Sequence, residues 1–279
     1  PLPPHETDQF FRKIWEGIDH AEKMMQDYNV TLERLPCTRS SADQVPIFES
    51  LLKRDDVHGV ITYCWDDMTL NPYFEQLLAR GVPVVTVDSD AVNSCRVGCV
   101  RASGRRTGRL AAELLCKLLP ASGRVLFMSG NHQLKLLRDN SRGFCEYIIA
   151  NRPDLAILDI SNACGNRSLE ETLVHELQVH PDIIGIYCNS ASNVLPMCHA
   201  LESAQLSRHI VAIGSDVFEE LVPYLESGLV AATIWQAPEL QSRDAVWMLY
   251  EYVSGHPIEK DVRYVPLGII MKHNYTDYL

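Results

Sequence analysis

Short aliphatic and β-branched runs alternate with helix-length segments along this chain. Phe11, Ile14, Ile18, Ala21 and Met25 recur at the spacing of one helical face. Residues 57–63 (VHGVITY) read as a buried strand, and a helix over 73–80 follows, closed by Gly81. The next strand covers 82–88 (VPVVTVD). A helix over 104–119 carries Leu110, Leu114, Leu115 and Leu118 and stops at Pro120. The alternation predicts further strands at 124–129, 155–160, 183–187, 209–214 and 229–234. Helices are predicted at 139–151, 168–179, 192–203, 217–226 and 238–254, and 263–270 is again strand-like.

Strands that are apolar throughout and separated by helices predict an α/β fold, with parallel sheets covered on both faces. The units are too many for one small sheet, so two doubly wound lobes are expected. In such sheets ligands bind beyond the carboxyl ends of the strands. The polar residues there are Asp88, Arg138, Asn189, Asp216, and Trp235 with Gln236. Two carboxylates, two amides and a guanidinium suit a neutral polyhydroxylated ligand, because every hydroxyl both donates and accepts. Caps and turns also place polar residues after strands, so the set counts for more than any member of it.

Composition narrows the function classes. A length of 279 residues suggests about two domains. A net charge of −11 disfavours nucleic-acid binding by these residues, which would need clustered cations against phosphate. There is no apolar run long enough for a membrane span and no signal-like apolar segment. The nine cysteines are odd in number and contain no Cys-x-x-Cys pair, and Cys95 and Cys99 alone are too little for zinc. Reduced, buried thiols in a cytoplasmic protein are expected, with no metal and no cofactor. No Gly-x-Ser-x-Gly, Gly-x-Gly-x-x-Gly or Walker-type loop supports an enzyme.

Several segments, in order, resemble the type I periplasmic-binding-protein fold, which covers sugar-binding proteins and the effector domains of lac-repressor-type regulators. They are DQFFRKIWEG at 8–17, GVPVVTVD at 81–88, RDNSRGF at 138–144, Gly214-Ser-Asp216, and ATIWQAP at 232–238. The resemblance implies that Phe10 and Phe11 line or stack on a sugar ring. It also implies that Asp88, Arg138, Asn189, Asp216 and Gln236 bind hydroxyls. Asp8 stands where the family usually has Asn. Trp65 and Trp235 are candidate stacking surfaces or core residues. The family's Asp-Asn pair before the helix at 104 is replaced by Arg101-Ala-Ser-Gly104.

The implied lobes are 1–101 with 238–261 and 102–237 with 262–279, joined by a three-segment hinge, with the ligand in the cleft between them. The family's first strand would precede Phe10, where only Pro1-Leu-Pro-Pro4 stands, so a first strand and a DNA-binding segment are expected upstream. The leading expectation is therefore a homodimeric, sugar- or polyol-sensing effector domain of a lac-repressor-type regulator, which meets operator DNA only through that upstream segment. The alternative is an extracytoplasmic solute-binding protein of a sugar uptake system.

Overall fold

The computed structural model describes residues 1–3, 9–119, 122–130, 133–161, 167–204, 206 and 209–279. In chain order its first elements are α1 (Gln9–Met24), α2 (Ser41–Leu51), β1 (Val60–Thr62), α3 (Asn71–Ala79), β2 (Val84–Val87), β3 (Gly98–Arg101) and α4 (Gly104–Leu118). Next come β4 (Gly123–Met128), α5 (Lys135–Asn151), β5 (Leu155–Asp159), α6 (Leu169–Val179), β6 (Ile183–Cys188) and α7 (Val194–Ser203). The last are β7 (Val211–Ser215), α8 (Val222–Ser227), β8 (Ala232–Trp235), α9 (Pro238–Val253), β9 (Val262–Tyr264) and β10 (Gly268–Ile270). These form two compact units: residues 1–102, 133–136 and 237–266, and residues 103–132, 137–236 and 267–279.

The sheet of the first unit has the order β1-β2-β3-β9 and is parallel throughout. One core layer joins Phe48, Leu51, Val60, Phe74, Leu77 and Val84, the side chains of α2 and α3 meeting strand residues. On α1 the buried side is Phe11, Ile14, Gly17, Ile18 and Ala21, the face that the apolar spacing predicts. Gly17 is required there, because a Cβ would overlap the Glu239 carbonyl and Ser242 Oγ on α9. Gly98 on β3 serves the same end, since a Cβ would collide with Met248 of α9.

The second unit holds the sheet β10-β8-β7-β6-β4-β5, parallel except for β10. Its core centres on stacked rings: Phe144 lies 5.2 Å from Phe127 and 5.0 Å from Tyr187. Helices α4 and α5 approach closely at two glycines. A Cβ on Gly108 would overlap the Asn140 carbonyl, and one on Gly143 the Arg105 carbonyl. Helix α6 starts in a capping box, with Ser168 Oγ accepting from Glu171 N and the Glu171 carboxylate accepting from Ser168 N.

Four local readings need correction. Strand β3 and helix α2 were not expected. Both are carried by burial against neighbours rather than by a strong periodic pattern, β3 being four residues long. The 263–270 segment is two strands in different units, divided at Pro266, whose missing N–H cannot extend a ladder. Because β9 pairs with β3, residues 262–266 lie with the first unit and not with the expected C-terminal lobe. Helix α5 starts at Lys135 rather than at 139, and this moves Arg138 from a loop into the first helical turn.

Beside β1 the chain start is extended. Leu2 forms a parallel bridge with Pro36, its N–H donates to the Leu35 carbonyl, and the Pro1 carbonyl accepts from Thr62 Oγ1. A cavity of about 390 Å3 opens here, lined by residues that include Leu2, Trp15, Ile18, Leu35, Val60 and Leu249. None of the strand-end polar residues lines it. Among the described residues no helix is long and apolar enough to cross a membrane.

Candidate functional site

The polar residues of interest sit at the carboxyl ends of parallel strands in each unit. In the first unit Asp88 follows β2 directly, with φ +59° and 3% exposure. Its N–H donates to the Val100 carbonyl at 2.9 Å, which ties the turn to β3. The Gln241 side chain on α9 hydrogen-bonds its carboxyl group. Burial nevertheless dominates: it raises the Asp88 pKa to about 7, while Gln241 and the charge of Arg101 act in the other direction.

Three successive strands in this unit end in a buried polar atom that has no protein partner among the described residues. These are Trp65 Nε1 just beyond β1, Asp88 Oδ1 beyond β2, and Arg101 Nε on the last residue of β3. Such groups cost roughly 1–3 kcal/mol when left unpaired, so a run of three at one sheet end suits a polar ligand. Asp90, by contrast, is used by the structure. It accepts from Thr86 Oγ1 at 2.7 Å and from Arg96 Nη2 at 2.9 Å. An aromatic wall stands nearby, with Phe11 5.3 Å from Tyr63 and 5.9 Å from Trp65. Phe10 packs edge-on to Phe11 at 5.5 Å and is half-buried.

The second unit repeats the arrangement. Asp216 follows β7 with φ +60° and is 3% exposed. Its N–H donates to the Ile234 carbonyl at 2.9 Å. Gln236, just past β8, holds both carboxylate oxygens: its N–H donates to Oδ1 at 2.8 Å and its Nε2 to Oδ2 at 3.0 Å. Asn189, following β6, is fully buried. Its Oδ1 accepts from Gly130 N at 3.1 Å and its Nδ2 donates to the Leu137 carbonyl at 3.4 Å. Ser129 Oγ beyond β4 and Asn140 Nδ2 on α5 are buried without a protein partner among the described residues.

The structure thus gathers Phe10, Phe11 and Asp88 at the strand ends of one unit, and Asn189, Asp216 and Gln236 at those of the other. Arg138 is exposed on the first turn of α5. Trp235 is half-buried and packs edge-on against Tyr278 at 4.9 Å, so its ring already has an aromatic partner. Asp8 lies outside the described residues. Sequence reading missed Gln241, Ser129 and Asn140, and set Arg101 aside as a hinge residue. A charged residue ending a buried strand was the available signal for Arg101. Among the described residues no group of three or more His, Cys, Asp or Glu side chains could hold a metal ion.

Comparison with known proteins places this geometry in a family. The ribose import binding protein of Bacillus subtilis (strain 168) is 24% identical over 257 residues, spanning 92% of this chain and 81% of that protein. A glucose-galactose binding protein from Geobacillus stearothermophilus superposes with a TM-score of 0.83 at 24% identity, covering 97% of this chain and 96% of the other. A putative LacI transcriptional regulator from Bacteroides fragilis has a TM-score of 0.86 at 18% identity, covering 100% and 97%. These relatives are binding proteins or a regulator rather than enzymes. The periplasmic binding protein domain model matches residues 2–257. With that match, the two parallel-sheet units and the strand-end aspartates, the chain belongs to the periplasmic binding protein family and has its type I fold.

Proposed function

We propose that this protein binds a sugar non-covalently through hydrogen-bonding groups at its strand ends, and serves as the binding protein of a sugar uptake system. One observation carries the reading: buried polar atoms that have no protein partner among the described residues stand at the strand ends of both units, near Asp88 in one and Asn189 in the other. Hydroxyls answer such atoms because they donate and accept at once. The aromatic wall of Phe11, Tyr63 and Trp65 suits the apolar face of a sugar ring. The names of the relatives, a ribose import binding protein and a glucose-galactose binding protein, support the same ligand class.

A second reading, the sugar-sensing effector domain of a lac-repressor-type regulator, is favoured by the thiols. The eight described cysteines are all unpaired, and five of them are buried. That usage suits a reducing compartment. Isothermal titration with D-ribose, L-arabinose, D-galactose, D-glucose and D-fucose tests the ligand class, and no heat with any of them overturns it. Sedimentation equilibrium separates the two roles: a monomer supports the uptake protein, and a stable dimer supports the regulator.

A further inference from the structure

Asp88 follows β2 directly and Arg101 is the last residue of β3, the neighbouring strand. The register pairs Val87 with Val100, the Asp88 N–H donates to the Val100 carbonyl, and the charge of Arg101 acts on the Asp88 carboxyl group, so the two residues stand at the same end of neighbouring strands. Both side chains are at least nine-tenths buried, at 3% and 9% exposure. Asp88 Oδ1 is an acceptor and Arg101 Nε a donor, and neither has a protein partner among the described residues. The Arg101 guanidinium lies 5.8 Å from the Tyr264 ring on β9, its neighbour on the other side, which fixes the head group while leaving Nε available.

Opposite charges on adjacent strands would be expected to pair directly. Here each instead keeps one atom uncommitted. A hydroxyl group satisfies both at once, since it accepts from Nε–H and donates its own hydrogen to Oδ1. A carboxylate or phosphate on the ligand would meet Asp88 with like charge, and an apolar group would leave both atoms unpaired.

We infer that Arg101 is a specificity-determining residue that, together with Asp88, holds one particular hydroxyl of a neutral sugar. This inference rests on the sugar-binding reading and assigns to Arg101 a role in hydroxyl selection. Loss of that hydroxyl strands two buried polar groups, so a site of this kind rejects a deoxy analogue far more strongly than it rejects the change of a methylene.

The test uses the tightest-binding sugar of the panel and the set of its monodeoxy derivatives, titrated against wild type, Arg101→Met, Arg101→Lys and Asp88→Asn. Wild type discriminates against one deoxy position by a hundredfold or more. That discrimination falls to within a few-fold in both Arg101 variants and in Asp88→Asn, while the other positions keep their wild-type ratios. Arg101→Lys retains the buried charge but has no donor at Nε, so it carries the test if Arg101→Met does not fold. Unchanged ratios in Arg101→Lys, a uniform loss over all positions, or failure of both Arg101 variants to fold assigns Arg101 to the scaffold and overturns the inference. Wild type that binds no sugar of the panel overturns the sugar-binding reading itself.

Discussion

Asp88 and Asp216 are structural counterparts. Each follows a parallel strand, each adopts a left-handed backbone near φ +60°, and each donates its N–H at 2.9 Å to a carbonyl of the next strand. Each also has a glutamine side chain on its carboxyl group, Gln241 for the first and Gln236 for the second. The left-handed turn is uncommon for a residue with a side chain, and Asp tolerates it better than most. The two differ in how fully the carboxylate is met: Gln236 takes both oxygens of Asp216, whereas Asp88 Oδ1 has no protein partner among the described residues.

That difference makes Asp88 a source of pH-dependent stability. Its native pKa is raised from 3.8 to about 7, chiefly by burial, so the folded protein holds a proton that the unfolded chain has lost between those values. Its contribution is complete below about pH 4 and is lost as pH rises towards 7, with an upper bound on the order of 4 kcal/mol. Urea unfolding of wild type and Asp88→Asn from pH 4.5 to 8 reads this directly. The variant gains on wild type as pH rises, and a gap that stays constant or closes contradicts the assignment.

Replacing Gln236 by Leu removes the side-chain hydrogen bond from Nε2 to Asp216 Oδ2 inside a buried site. A loss of about 1–3 kcal/mol is expected. The double variant Gln236→Leu/Asp216→Leu should recover part of it, because the stranded charge goes as well. Denaturant midpoints of the three proteins decide whether the pair is coupled as the geometry requires.

Arg138, exposed on the first turn of α5, contributes little to the core. Arg138→Ala is expected to leave the melting temperature within about a degree or two of wild type. Sugar affinity should weaken by roughly 2–4 kcal/mol if its guanidinium meets the ligand's hydroxyls. Calorimetry that finds the wild-type Kd in a normally folded variant removes Arg138 from the site.

The crossing of α4 and α5 at Gly108 and Gly143 leaves no room for a side chain at either position. Gly143→Ala should destabilise by about 1–3 kcal/mol despite the higher helix propensity of alanine, because the two backbones must move apart. A surface helix position would show the opposite sign, so thermal melts distinguish close packing from simple propensity.

How much was legible in advance depended on how local the signal was. The core-facing side of α1, the five apolar strands that became β4 to β8, and the parallel two-unit plan follow from side-chain periodicity alone, since burying a face requires the same spacing wherever the face lies. The order of polar residues after the strands was likewise readable, and so were Asp88 and Asp216 as members of that set. Tertiary structure alone decided what each could do. Whether a carboxylate is gripped by a glutamine or left with an open oxygen depends on which strand lies next to it, and Gln241 is 153 positions from Asp88 along the chain. Strand β3 carries no strong pattern of its own because its four residues are buried by neighbours on every side. For the same reason Arg101 read as an anomaly in a hinge, and only the pairing of β2 with β3 brought it to the sheet end where Asp88 stands.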